Sequence, residues 1–125
     1  MVLELLGAAP LVSTSRISYV ECNAAFARGG RDGRLTRTQA SSAVSAFASR
    51  WPDLVVVELD GAVTERAGRI AYDDTLRAGD AIHLASAEAV AGGSPAETRF
   101  ACWDQRLWGA AATRGFSMVP ESRPG

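Results

Sequence analysis

Lysine is absent from this chain: all thirteen basic residues are arginine. Histidine is almost absent, with His83 alone, and there are only two cysteines, Cys22 and Cys102. Structural zinc sites draw on several cysteine and histidine ligands at short spacing, and this inventory does not supply them. Both cysteines lie in apolar segments far apart in sequence, which reads as buried, reduced thiols. Long hydrophobic runs are missing too. No apolar stretch approaches the roughly 20 residues that span a bilayer, so no membrane partner is expected. The opening MVLELLGAAPL lacks the basic leader and long apolar run of a secretory signal, and Glu4 interrupts its one candidate segment. A cytoplasmic protein is expected on that ground.

What is present fits one globular domain over residues 1–125 with one hydrophobic core. The net charge of −1 argues against nucleic-acid binding driven by bulk charge. The distribution of charge is more telling than its sum. Arg28, Arg31, Arg34 and Arg37 are clustered, and the planar guanidinium fork suits phosphate and carboxylate partners. A solvated loop explains GGRDGRLTR equally well.

Strand and helix signals alternate along the chain. PLVST is a short β-type run, with Ser15 as a cap for a helix over residues 16–28. On that helix Ile17, Val20, Ala24 and Ala25 share a stripe with Glu21, so Glu21 is expected to point inward. Gly29, Gly30 and Gly33 then break the chain. Thr36 and Gln39 form a capping box for an amphipathic helix carrying Ala40, Ala43, Val44, Phe47 and Trp51, which Pro52 ends. LVVVEL at residues 54–59 reads as the strongest strand, covered on both faces. A helix capped by Asp60 follows, with Val63, Ala67, Ile70 and Ala71 inward, and then a largely buried helix over residues 80–91. RFACW is a strand with Asp104 at its end, residues 105–114 a helix, FSMV a last strand, and residues 120–125 a frayed tail. Alternation of this kind implies an α/β protein with a mostly parallel sheet wrapped by helices, binding its ligand beyond the C-terminal strand ends.

Three carboxylates interrupt or border apolar segments: Glu21 in ISYVECNAAF, Asp80 in LRAGDAIHLASA and Asp104 in RFACWDQRLWGAA. An unpaired ionised carboxylate is costly to bury, so each needs a cationic companion. Oxygen-only ligands select hard cations, and Mg²⁺ is held by few carboxylates plus substrate phosphate. Phosphodiester hydrolysis is the chemistry such a cluster supports. Each residue also has a plain structural role: Asp80 in a first helical turn, Asp104 as an N-cap. His83, one turn after Asp80, reads as a core histidine before a general base. Asp73 and Asp74 read as solvated helix-end charges, and Trp103 and Trp108 as core or dimer contacts before base-stacking platforms. Ser13 and Thr14 line a groove or cap the following helix.

Three blocks carry a resemblance: S-x-I-S-Y-V-E with Glu21, L-R-A-G-D-A-I-H-L-A with Asp80, and W-D-x-R-L with Asp104. Together they resemble the PIN-domain ribonucleases of the VapC-like toxin type, over nearly the whole chain. The resemblance implies a three-layer α/β/α sandwich and a Mg²⁺- or Mn²⁺-dependent endoribonuclease. It also implies a homodimer, inhibited by a cognate antitoxin whose tail enters the acidic groove. Glu21, Asp80 and Asp104 correspond to the second, third and fourth members of the family's acidic quartet, as catalytic and metal-binding residues. The first member belongs to a central N-terminal strand. MVLELLGAA resembles the tail of the helix after that strand, so the strand is expected to be missing here and a start codon to lie upstream. The alternative is a truncated PIN module that binds a partner protein without cleaving RNA. A flavodoxin-like nucleotide binder is disfavoured, because no glycine-rich phosphate cradle follows LVVVEL or RFACW.

Overall fold

The computed structural model describes residues 11–125. The helix tail expected in MVLELLGAA, and Pro10 of the first strand, lie outside them. Helices and short strands alternate as expected of an α/β protein, and the chain divides into two compact units, Met1–Val56 and Val57–Gly125.

In the first unit, β1 (Ser13–Ser15) leads into α1 (Ser18–Arg31), α2 (Arg37–Arg50) and a 3-10 turn (Trp51–Asp53), and the unit ends within β2 (Val55–Val57), which pairs with β1. The capping box holds: Thr36 Oγ1 accepts from Gln39 N at 3.0 Å, and Gln39 Oε1 accepts from Thr36 N at 2.9 Å. The glycine break does not fall where expected. Helix α1 continues through Gly29 and Gly30, and the turn comes at Gly33, with φ +82°. Gly29 serves packing instead. A Cβ there would lie 2.9 Å from Leu35 Cδ1, so only hydrogen lets Leu35 fold back onto the helix.

Helix α1 also turns a different face inward from the expected one. Val20, Glu21, Ala24 and Ala25 are exposed, whereas Ser18, Cys22, Phe26 and Gly29 are buried or half-buried. Those four sit at i, i+4, i+8 and i+11, a single helical face. Hydrogen bonding and close approach select it over hydrophobicity: Ser18 Oγ meets Thr14 Oγ1 at 2.6 Å, and Ser15 Oγ accepts from Ile17 N. Aromatic rings bind α1 to α2, with Tyr19 against Phe47 and Trp51, and Phe26 edge-on to Phe47. The expected strand over 54–59 shrinks to three residues. Val55 and Leu59 remain exposed at 42% and 41%, so two-sided cover is not realised there.

The second unit runs α3 (Gly61–Asp74), α4 (Ala78–Ala91), a 3-10 turn (Pro95–Glu97), β3 (Arg99–Ala101), α5 (Gln105–Thr113) and β4 (Ser117–Val119). Asp60 caps α3 through a 2.9 Å bond from Val63 N. Val63, Ala67 and Ile70 are buried as the periodicity requires, in one cluster with Ala81, Leu84 and Ala85 of α4 and with Phe100, Leu107, Ala111 and Phe116. Burying Leu84 completely contributes roughly 1.5–3 kcal/mol. Strands β3 and β4 pair in parallel, Phe100 opposite Met118, and α5 is the crossover between them. The expected frayed tail is docked instead: Trp108 Nε1 donates to Pro120 O at 2.8 Å, and the Arg123 guanidinium lies against Gly109.

Candidate metal centre

Two carboxylates meet in the second unit. Asp80 stands in the first turn of α4, where the helix dipole favours negative charge. Asp104 follows the C-terminal end of β3 and is the N-cap of α5, its Oδ1 accepting from Leu107 N at 3.0 Å. Arg77 joins them. Its Nε lies 3.3 Å from Asp80 Oδ2 and its Nη2 lies 3.4 Å from Asp104 Oδ2. The cationic companion that each carboxylate required is therefore one shared guanidinium. Asp104 thus caps α5 with one oxygen and faces Arg77 with the other.

The local backbone explains this placement. Thr75 ends α3 in the left-handed region (φ 54°), a costly conformation for a β-branched residue, and Arg77 extends the chain before α4 begins. That short link turns the side chain of Arg77 back over the first turn of α4, at the i, i+3 spacing to Asp80. In the sequence Arg77 stands out only as part of the L-R-A-G-D motif. Its spacing to Asp80 was the available signal, whereas the bond to Asp104, 27 residues on, has no local signature.

Cys102 borders the pair and is half-buried rather than buried, as is Cys22, and both are free thiols. Burial pushes the Cys102 thiol up to about 11, with the Asp104 and Asp80 carboxylates adding to the rise and a backbone hydrogen bond at Asp104 opposing it. In the metal-free chain the thiol stays protonated at neutral pH. Burial raises Cys22 as well, with Glu21 as the second cause.

The expected inward orientation of Glu21 is not realised. It lies on the exposed face of α1, in the first unit. Among the described residues, no group of three histidine, cysteine, aspartate or glutamate side chains is assembled that would hold a metal ion. His83 is half-buried on α4. Trp103, beside Asp104, is 46% exposed and so is no core residue. Of the clustered arginines, Arg34 pairs with Asp32 at 2.9 Å, and its hydrogen bond holds the Asp32 carboxyl below the usual carboxylate range. This is the solvated loop that the sequence equally allowed. Asp74, by contrast, is not a free helix-end charge, since it pairs with Arg114.

Residues 2–92 match the PIN domain family, a span that takes in Glu21 and Asp80 and stops before Asp104. The chain belongs to the PIN-domain family. Within it the chain is of the VapC-like kind: it is 37% identical over 107 residues to two Mycobacterium tuberculosis proteins. These are Ribonuclease VapC45 of strain CDC 1551 / Oshkosh and Ribonuclease VapC49 of strain H37Rv, with 86% of this chain and 72% of each relative covered.

Proposed function

We propose that this protein is the endoribonuclease toxin of a toxin–antitoxin pair, hydrolysing RNA phosphodiester bonds with Mg²⁺ or Mn²⁺ held by Asp80, Asp104 and Glu21. The observation that carries this reading is the convergence of Asp80 and Asp104 on Arg77 at the C-terminal end of β3. Ligands of open α/β sheets bind at such ends. Two carboxylates gathered around one cation are hard oxygen donors and fit a hard divalent ion. Glu21 is assigned to the ion by its place in S-x-I-S-Y-V-E. When bound, such an ion polarises a phosphoryl oxygen and makes water nucleophilic near neutral pH.

The chain's own groups have separable tasks. Asp104 is held rigid by its capping bond, which fixes one oxygen and leaves the other for the cluster. Asp80 is oriented by the first turn of α4 and is the less exposed of the two, its side chain 20% accessible against 41%. Arg77 neutralises both carboxylates, so they stand close together before an ion arrives.

Residues 1–125 are taken to act as one PIN-like domain in the cytoplasm; among the described residues no helix is long and apolar enough to cross a membrane. A cognate antitoxin and a second copy of the chain are the proposed protein partners. The exposure of Leu11, Val20 and Val44 in the first unit, 65%, 70% and 39%, is compatible with such partners. It equally suits the second reading, a module that binds its partner without cleaving.

The test is cleavage of structured RNA with Mg²⁺ by the wild type, Glu21→Gln and Asp80→Asn. Wild-type cleavage that is abolished by a chelator and by both substitutions supports the enzyme. Equal cleavage by all three proteins removes the proposed site, and no cleavage by the wild type favours the binding module.

A further inference from the structure

A second feature of the Val57–Gly125 unit lies outside the carboxylate pair. A cleft of about 440 Å³ opens between the end of α3 and one face of α5, and its lining carries three guanidinium groups, those of Arg106, Arg114 and Arg123, against the single carboxylate of Asp74. Arg114 is spoken for: it pairs with Asp74 and lies 3.6 Å from Glu88. None of the ion pairs among the described residues uses Arg106 or Arg123. Arg106 donates only to Thr75 O, at 3.5 Å, and Arg123 rests on α5 where Gly109 has no side chain. A Cβ at Gly109 would stand 3.2 Å from Arg123 Nη2, so the glycine is what lets this guanidinium lie flat in the cleft.

We infer that this cleft is a phosphate-binding track for the sugar–phosphate backbone of single-stranded RNA, with Arg106 and Arg123 as its two contacts. The ligand class follows from the donors. Two guanidinium groups without carboxylate partners among the described residues, on an open wall, match successive phosphates, each with planar, bidentate geometry. The position follows from α5. Asp104 caps that helix, and Arg106 stands two residues further along it. Arg106 is also tied to Thr75, two residues before Arg77, which holds the carboxylate pair. RNA lying on the cleft is thereby led toward Asp80 and Asp104. The choice of RNA rests on the ribonuclease reading, whereas the anion-binding character of the cleft does not.

Binding of a fluorescein-labelled oligouridylate to the full chain, followed by anisotropy in the presence of chelator, tests the inference without any cleavage. Each phosphate contact steepens the dependence of log affinity on log salt by roughly 0.7 for single strands. The double variant Arg106→Gln/Arg123→Gln is expected to flatten that slope by about 1.4 and to weaken binding about tenfold at ~50 mM salt. Arg69→Gln, which removes an exposed charge of α3 away from the cleft, is expected to leave the slope unchanged, and circular dichroism checks that every variant is folded. An unchanged slope in the double variant, an equal effect of Arg69→Gln, or no binding by the wild type overturns the proposal. Loss of binding to an acidic peptide with RNA binding intact overturns it too, by reassigning the cleft to a protein. If the slope flattens in a chain that cleaves nothing, the track stands and the ribonuclease reading falls.

Discussion

Arg77 Nη2 lies 3.4 Å from Asp104 Oδ2, linking the residue before α4 to the N-cap of α5 across 27 residues of sequence. The same guanidinium reaches Asp80 at 3.3 Å. Like charges side by side repel, and a shared cation offsets that repulsion. On the proposed reading, a divalent ion bound by Asp80 and Asp104 would take over the charge compensation from Arg77.

Arg77→Gln therefore separates stability from ion binding. The Arg77 side chain is 77% exposed, so its ion pairs contribute less than about 1 kcal/mol, and urea denaturation is expected to shift by no more than that. Mn²⁺ affinity, measured by the paramagnetic signal of free Mn²⁺, is expected to rise, because the ion no longer competes with a guanidinium. A fall in affinity would mean that Arg77 supports the ion rather than standing in for it.

At Asp104 the cap and the chemistry come apart by choice of substitution. Asn retains a capping oxygen, whereas Ala loses it at a cost of about 1 kcal/mol. Asp104→Asn is expected to keep wild-type thermal stability and Asp104→Ala to lose a few degrees, with RNA cleavage falling to background in both. Cleavage retained by Asp104→Asn would leave this residue a cap only.

Much of this was legible in the residues themselves. The Thr36–Gln39 box, the Asp60 cap and the Val63, Ala67 and Ile70 stripe are local rules, and each is realised. Asp80 and Asp104 stand out in the sequence because carboxylates in apolar company demand a partner, and Arg77 is that partner. Glu21 shows the limit of periodicity. Its stripe counted hydrophobic residues, while α1 docks through Ser18 and Gly29, chosen by a hydrogen bond and by close approach. Gly29 and Gly30 looked like breakers for the same reason, since the role of Gly29 exists only once Leu35 folds back. The tail looked frayed because its anchors, Trp108 on Pro120 and Gly109 under Arg123, join residues more than a turn apart.

The core is concentrated enough for a single truncation to be decisive. Leu84 is fully buried, and Leu84→Ala is expected to cost 2–5 kcal/mol, roughly, in chemical denaturation. Val20→Ala, at a position 70% exposed, is expected to change stability by less than about 0.5 kcal/mol. A large loss at Val20 would show that its face is covered in solution, as a homodimer would require.

Cys102 gives the pH dependence its sign. Its ordinary value of 9.0 is raised to about 11 in the fold, so the folded chain keeps the proton longer than the unfolded one. The stability this contributes is complete below pH 9.0 and is lost as pH rises toward 11. Thermal midpoints are expected to fall less steeply over that range in Cys102→Ala than in the wild type, and alkylation of Cys102 at neutral pH is expected to be slow. Identical pH profiles would remove the thiol from the balance.

The most direct test is calorimetric titration of Mn²⁺ into the wild-type chain and into Asp80→Asn, Asp104→Asn and Glu21→Gln. The account predicts binding by the wild type that is lost in both aspartate variants and weakened in the glutamate variant, with all four proteins folded. Undiminished binding in Asp80→Asn and Asp104→Asn would contradict it.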